Sequence, residues 1–181
     1  MNERSRGRAA AALFVLGLAG AGCGGSVADQ QSLLQAGMIP PLRATQPIAV
    51  VAGRSNPSTR TIPIVAADVP VDYDQFARTA VGRLQQELTR LGVPTAPDAN
   101  RRIEITVMYV DLLIQSAGTE IACIIDFRVT LGDGTVRGLQ AREKSGDYEK
   151  SCDAAQTNVT VAALNDPVVQ RYITAPASPG P

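Results

Sequence analysis

The sequence predicts an α+β domain: a three- to four-stranded, mainly antiparallel sheet with a long helix and a short C-terminal helix packed on one face. Three observations carry this. Apolar residues recur at helical spacing from Tyr73 to Leu91. They alternate with polar residues from Ile103 and again from Ile121. Between the last two strands, Gly132-Asp133-Gly134-Thr135 has the composition of a tight hairpin turn.

In chain order, Ile48 to Ala52 is a short apolar run between Pro47 and Gly53 and reads as a strand. Arg54 to Arg60 is a loop by its turn residues. Thr61 to Val65 is a second extended piece; Pro63 cannot donate to a ladder, which places it at an edge. Asp72 then caps the long helix, with Gln75 at the reciprocal position of a capping box and Val71 and Phe76 at staple spacing. Tyr73, Phe76, Ala77, Ala80, Val81, Leu84, Leu88 and Leu91 form one stripe, suited to a core against the sheet. Arg78, Gln85, Glu87 and Arg90 fall off that stripe, toward solvent. Gly92, Val93 and Pro94 give a Schellman-type stop.

Ile103, Ile105, Val107 and Tyr109 share one strand face, whereas Leu112 and Ile114 continue on the other, so a bulge near Val110 is expected. Gln115 to Gly118 reads as a turn, and Ile121 to Leu131 alternates cleanly. Val136 to Lys144 returns antiparallel, with a register its weak alternation does not fix. Asp147 to Ser151 reads as a polar connection. Asp153 with Gln156 repeats the cap pattern and opens a helix to about Leu164. Asp166-Pro167 starts a last short helical turn to about Ile173.

Ahead of this domain lies a leader. Arg4, Arg6 and Arg8 precede an uncharged run, Ala9 to Ala21, and small residues lead to Cys23. This is the pattern of a secretion signal. The run is shorter than the roughly 20 apolar residues that span a bilayer. Gly20-Ala21-Gly22-Cys23 resembles the lipobox of bacterial lipoproteins, with Leu18 displaced from the usual position. The resemblance implies cleavage before Cys23 and acylation of that cysteine. Attached chains contribute about 0.8 kcal/mol of membrane affinity per buried methylene. Gly24, where an aspartate would resemble an inner-membrane retention signal, implies the outer membrane, facing the periplasm. The resulting organisation is a signal peptide at 1–22, a flexible tether at 23–45 and one domain at 46–173. A Pro-, Ala- and Ser-rich tail expected to be disordered follows at 174–181. Within the tether, Gln30 to Gln35 has the makings of a short helix.

Composition narrows the function. The leader removes three bases and one acid from 17 of each, leaving 14 bases against 16 acids. A slightly acidic surface argues against nucleic-acid binding. The chain has no histidine, so the most common general base is missing. No phosphate-binding loop, nucleophile elbow or metal-ligand cluster is present, so no cofactor and no metal is expected. Of three cysteines, Cys123 and Cys152 are left once Cys23 is acylated. In an oxidising compartment such a pair is expected to form a disulfide.

Two groups of residues could carry chemistry. Asp111 and Asp126 lie on strands and could face each other as a hydrolytic carboxylate pair; solvated polar-face residues are the stronger reading. Arg128, Arg137, Arg142 and Lys144 fall on the last hairpin and could form a patch for anionic headgroups or glycans; a solvated sheet face is again stronger. Asn158-Val159-Thr160 matches a glycosylation sequon by chance, inside a helix.

The element order behind a lipobox resembles the small envelope lipoproteins of the YajG type. The resemblance rests on Phe76 to Val93, the strand Ile103 to Val110 and the ending Ala162 to Val168, and covers about residues 46–173. It implies an outer-membrane location and no catalytic role. Similar lipoproteins are accessory subunits of transport or secretion machines, so the leading expectation is a non-catalytic subunit that binds an envelope protein partner. A lipid- or glycan-binding module is the alternative. The Cys123/Cys152 pair departs from what the resemblance implies.

Overall fold

The computed structural model describes residues 37–64, 67–115 and 120–176. The leader, Cys23, the Gln30–Gln35 stretch and residues 177–181 lie outside these. The described region is α+β: a four-stranded mixed sheet, a separate two-stranded sheet, and helices. The strands are β1 (Ile48–Ala52), β2 (Thr59–Ile64), β3 (Ala67–Asp72), β4 (Arg101–Gln115), β5 (Glu120–Leu131) and β6 (Val136–Ser145). The helices are α1 (Tyr73–Arg90), α2 (Tyr148–Asn165) and α3 (Pro167–Thr174).

The larger sheet has the order β1-β4-β5-β6. β4, β5 and β6 are antiparallel neighbours, and β1 joins β4 in parallel. A parallel pair needs a crossover between its strands, and β2, β3 and α1 supply it. The apolar residues of β1 forecast a strand but said nothing about its direction. β2 and β3 pair antiparallel as a second sheet, with Pro63 on β2 and Pro70 on β3. Pro63 thus sits in a two-stranded ribbon, where a missing ladder donor is tolerated. β3 went unforeseen because Pro70 interrupts the short alternation of Val69 and Val71.

α1 begins as its sequence dictates. The Asp72 carboxylate accepts from the Gln75 backbone amide at 2.9 Å, a cap worth about 1 kcal/mol. The reciprocal half of the capping box does not form: the Gln75 side chain accepts from Arg78 instead. At the other end, Val93 N donates to Leu88 O at 2.8 Å and Gly92 N to Thr89 O at 3.0 Å. This is the Schellman pattern, and Gly92 at φ 76° takes the left-handed position. Tyr73, Ala77, Ala80, Leu84 and Leu88 are buried, and Phe76, Val81 and Leu91 are half-buried against the core. Glu87 corrects the expected polar face. It is buried, and its carboxylate pairs with Arg90 at 2.7 Å.

α2 starts earlier than Asp153. Asp147 has extended backbone and its carboxylate accepts from Glu149 N and Lys150 N, so the stretch read as a connection is the first turn of the helix. Asp153 lies inside α2, where its carboxylate and carbonyl accept from Arg83 of α1. α3 opens as expected, with the Asp166 carboxylate accepting from Val168 N and Val169 N and with Pro167 at its start.

α1 packs over β1 and β4, and α2 over β5 and β6. Between the helices and the sheet sits an aliphatic core built on Ile48, Ile103, Val107, Ile125, Phe127, Leu131, Leu84 and Leu88. Each fully buried aliphatic or Phe side chain contributes about 1.5–3 kcal/mol. Ile39 and Leu42, in the stretch expected to be tether, are also buried in it. Cys123 of β5 and Cys152 of α2 form a disulfide with Cα atoms 5.0 Å apart.

Candidate functional site

Strand parity divides the sheet into two faces. On β5, Cys123, Ile125, Phe127, Val129 and Leu131 are buried on the helix side. Ile124, Asp126 and Arg128 therefore point to the face that no helix among the described residues covers. On β4 the helix-side set is Ile103, Ile105 and Val107, then Val110 and Leu112. The change from odd to even numbers is made by a bulge at Met108: Val107 pairs with Phe127 and Tyr109 with Asp126, leaving Met108 as the extra residue. The sequence placed this bulge near Val110, because Tyr109 looked like part of the apolar face. Its ring lies instead on the open face, with the Arg60 guanidinium 5.2 Å from its centroid. Hydrogen bonds with Tyr73 and Tyr109 raise the Arg60 pKa further above its already high value.

The open face holds Asp111 and Asp126, but not as a facing pair. Asp126 is opposite Tyr109, and Asp111 is opposite Ile124. The two acids are diagonal neighbours, and each is engaged elsewhere. Asp111 accepts from the Tyr109 hydroxyl and from Leu112 N, both at 3.0 Å. Asp126 accepts from Gln140 Nε2 at 2.7 Å. Nothing in this arrangement sets one carboxyl as acid against the other as base. Among the described residues, no group of three or more His, Cys, Asp or Glu side chains is placed to hold a metal ion.

The four basic residues of the hairpin are not gathered into one patch. Val129 opposite Arg137 fixes the register of β6 and puts Arg137 on the helix side. There it pairs with Asp166, the cap of α3, at 2.9 Å. Burial alone would raise the Asp166 pKa; donors from Val168, Arg137 and Val169 outweigh it and hold the carboxyl below its ordinary range. Arg128, Arg142 and Lys144 remain on the open face. Arg128 is opposite Gly138 and Arg142 opposite Ile124, four residues farther along β5. Lys144 is taken by Glu120 at 3.0 Å. The row is strung out along the strand and part-neutralised.

The open face also has a tight spot. A Cβ on Gly53 would overlap Thr106 Oγ1 and crowd the Glu104 carboxylate. Glycine is required there because β1 leaves β4 at this point, with Gly53 N still donating to Ile105 O at 2.8 Å. The Thr106 hydroxyl beneath is buried and has no protein hydrogen-bond partner.

The two ends of the sheet differ most. At the end where β4 begins, the Tyr172 hydroxyl of α3 accepts from Arg102 N at 2.9 Å and Gly132 N at 3.2 Å. Arg101 lies over the Tyr172 ring at 4.7 Å and donates to Ala175 O. The Asn165 side chain bonds Met38 O at 2.9 Å. Both chain ends of the described region therefore leave here. At the far end of β4, Leu113 and Ile114 are exposed at 39% and 37%, on opposite faces of one strand. No sequence argument singled these two out; the signal was the apolar continuation past Asp111.

No protein-family model matches this chain, and no curated protein is significantly similar to it. No helix among the described residues is long and apolar enough to cross a membrane.

Proposed function

We propose that the protein is a non-catalytic envelope lipoprotein, held to the membrane through acylated Cys23 and serving as an accessory or assembly subunit that binds a protein partner. The observation that carries this reading is the order of the chain: a basic leader, a short apolar run and small residues ending in Cys23, all ahead of a domain with a disulfide. A disulfide suits an oxidising compartment such as the periplasm. The engaged carboxylates Asp111 and Asp126 favour a binding role over hydrolysis. The alternative, recognition of anionic headgroups or glycans, is weaker with Arg137 turned toward Asp166.

Fractionation of cells carrying Cys23→Ser tests the anchor. The variant is expected in the soluble periplasmic fraction, with the wild-type chain in the membrane. Retention of Cys23→Ser in the membrane would rule the anchor out.

A further inference from the structure

The two ends of the domain differ in charge as well as in connectivity. At the end where β4 begins, residues 38–47 run from the end of α2 to the start of β1. The Asn165 side chain holds Met38 O, Ile39 and Leu42 are buried in the core, and Ile48 enters β1 opposite Arg101. Arg43 lies in this crossing and is exposed, with no ion-pair or hydrogen-bond partner among the described residues. Arg171 of α3 is exposed too, and donates to the Pro167 carbonyl of its own helix. Arg101 donates to the carbonyls of Ile173 and Ala175, which are neutral acceptors. The acids of this end are mostly engaged. Glu87, Glu104 and Asp166 pair with Arg90, Arg102 and Arg137. Asp133 accepts from Thr135 N within its own turn, and Asp98 lies in the loop before β4. At the far end the balance changes sign. The Tyr73 hydroxyl meets Val110 N there, and α2 follows Ser145, which lies opposite Ile121. Both long helices therefore begin at that end, and their acidic caps and first turns gather at it: Asp72 with Asp74, and Asp147 with Glu149.

We propose that the end of the domain from which Gly37 leaves is a membrane-contact surface, with Arg43 and Arg171 meeting the phosphate groups of the phospholipid bilayer that holds Cys23. This deepens the lipoprotein reading and rests on it. The chemistry of the two side chains fits. A guanidinium presents a planar fork of donors that matches phosphate oxygens, and it gives up its hydration more readily than an ammonium. Met38, 43% exposed at the point of exit, adds an apolar side chain that the headgroup layer would cover. An anionic surface attracts basic residues within a Debye length of it and repels the acidic caps of the far end.

Chain geometry argues for the membrane as the occupant. The 13 residues between Cys23 and Gly37 reach only about 45 Å when fully stretched. β4 alone, from Arg101 to Gln115, is about 45 Å long. The far end could therefore meet the bilayer that anchors Cys23 only if every one of those residues were extended. The end beside Gly37 meets it at any extension.

The test is site-specific crosslinking to lipid, using the full-length protein extracted from its own envelope. It is placed in vesicles of phosphatidylethanolamine with phosphatidylglycerol. A photoreactive amino acid is introduced at Met38, at Thr174 or, for the far end, at Glu149. The expected result is phospholipid adducts from 38 and 174 but not from 149. Arg43→Glu combined with Arg171→Glu is expected to cut those adducts about fivefold or more, and vesicles of phosphatidylcholine alone should weaken them in the same direction. A wild-type thermal midpoint and an intact Cys123–Cys152 bond would show that the double variant is folded. Equal adducts from all three positions, adducts from 149 alone, or adducts undiminished by the charge reversal would overturn the proposal while leaving the lipoprotein reading standing. So would a chain acylated at Cys23 that yields no phospholipid adduct at all. An unacylated Cys23 in the extracted protein, seen by mass spectrometry, would remove both.

Discussion

Along β5, Phe127 is 1% exposed beneath the helices, and the next residue, Arg128, reaches solvent on the open face. The two faces of this sheet are built by different rules. On the covered face the central side chains are locked in one core between the sheet and the helices, and shape decides what is allowed. On the open face most residues meet water, and substitution should be cheap except where the backbone itself comes close. The difference shows where the sequence is constrained by folding and where it is available for function.

The strongest test of the comparison is the adjacent pair. Phe127→Ala should cost about 3–5 kcal/mol by opening a cavity in the core. Arg128→Ala should stay within about 0.5 kcal/mol. Both are read by chemical denaturation, and equal costs would dissolve the distinction. The disulfide belongs to the covered face, tying β5 to α2 across a separation of 29 residues. Replacing Cys123 and Cys152 together by Ala should remove about 3–4 kcal/mol under the chain-entropy account, seen as a lower denaturation midpoint with a steeper slope, because the unfolded chain loses its crosslink and exposes more surface.

Gly53 sharpens the comparison from the other side. It lies on the open face, yet Gly53→Ala should cost about 1–3 kcal/mol, because the new Cβ would press on Thr106. A thermal midpoint unchanged by that substitution would show that β1 can move away freely.

A small effect concerns Arg137, the one residue of the expected basic patch that the covered face claims. Its partner Asp166 has a folded-state pKa below its unfolded value. Its contribution is therefore complete above the ordinary carboxylate range, and it is lost as the pH falls through the lowered folded value. Asp166→Asn keeps a capping side chain and should cost less than about 1 kcal/mol at pH 7, with Arg137 half in solvent. It should also weaken the acid-induced loss of stability. Denaturation curves at pH 7 and pH 3 measure both.

Legibility in the sequence follows the same division. α1 could be read from Asp72 to Gly92 because its cap, stripe and stop agree, and β5 because one of its faces is wholly buried. β6 was opaque: at the sheet edge even its helix-side residues are mostly half-buried, so Leu139 and Glu143 share a side with no apolar rhythm to reveal it. The partition of Arg137 from Arg128, Arg142 and Lys144 was hidden for the same reason. The start of α2 was missed because Asp147 and Asp153 both look like caps, and only the Arg83 contact explains why Asp153 is not one. How far β4 outruns β1 could not be read either, since that depends on where β1 stops.

The extra residue at Met108 has a consequence for how this gene can change. It absorbs one residue and keeps the strand in phase with β5 on both sides. Upstream of it odd-numbered residues meet the helices, and downstream even-numbered ones do. Deleting that single codon would place Tyr109 directly after Val107 in regular alternation, and would leave Val110 and Leu112 inward and Asp111 outward, as they are now. Substitutions at Met108, which is 47% exposed, should be tolerated widely. A one-codon deletion there should be tolerated too, removing only the bulge, whereas a one-codon deletion elsewhere in β4 would exchange the two faces beyond it.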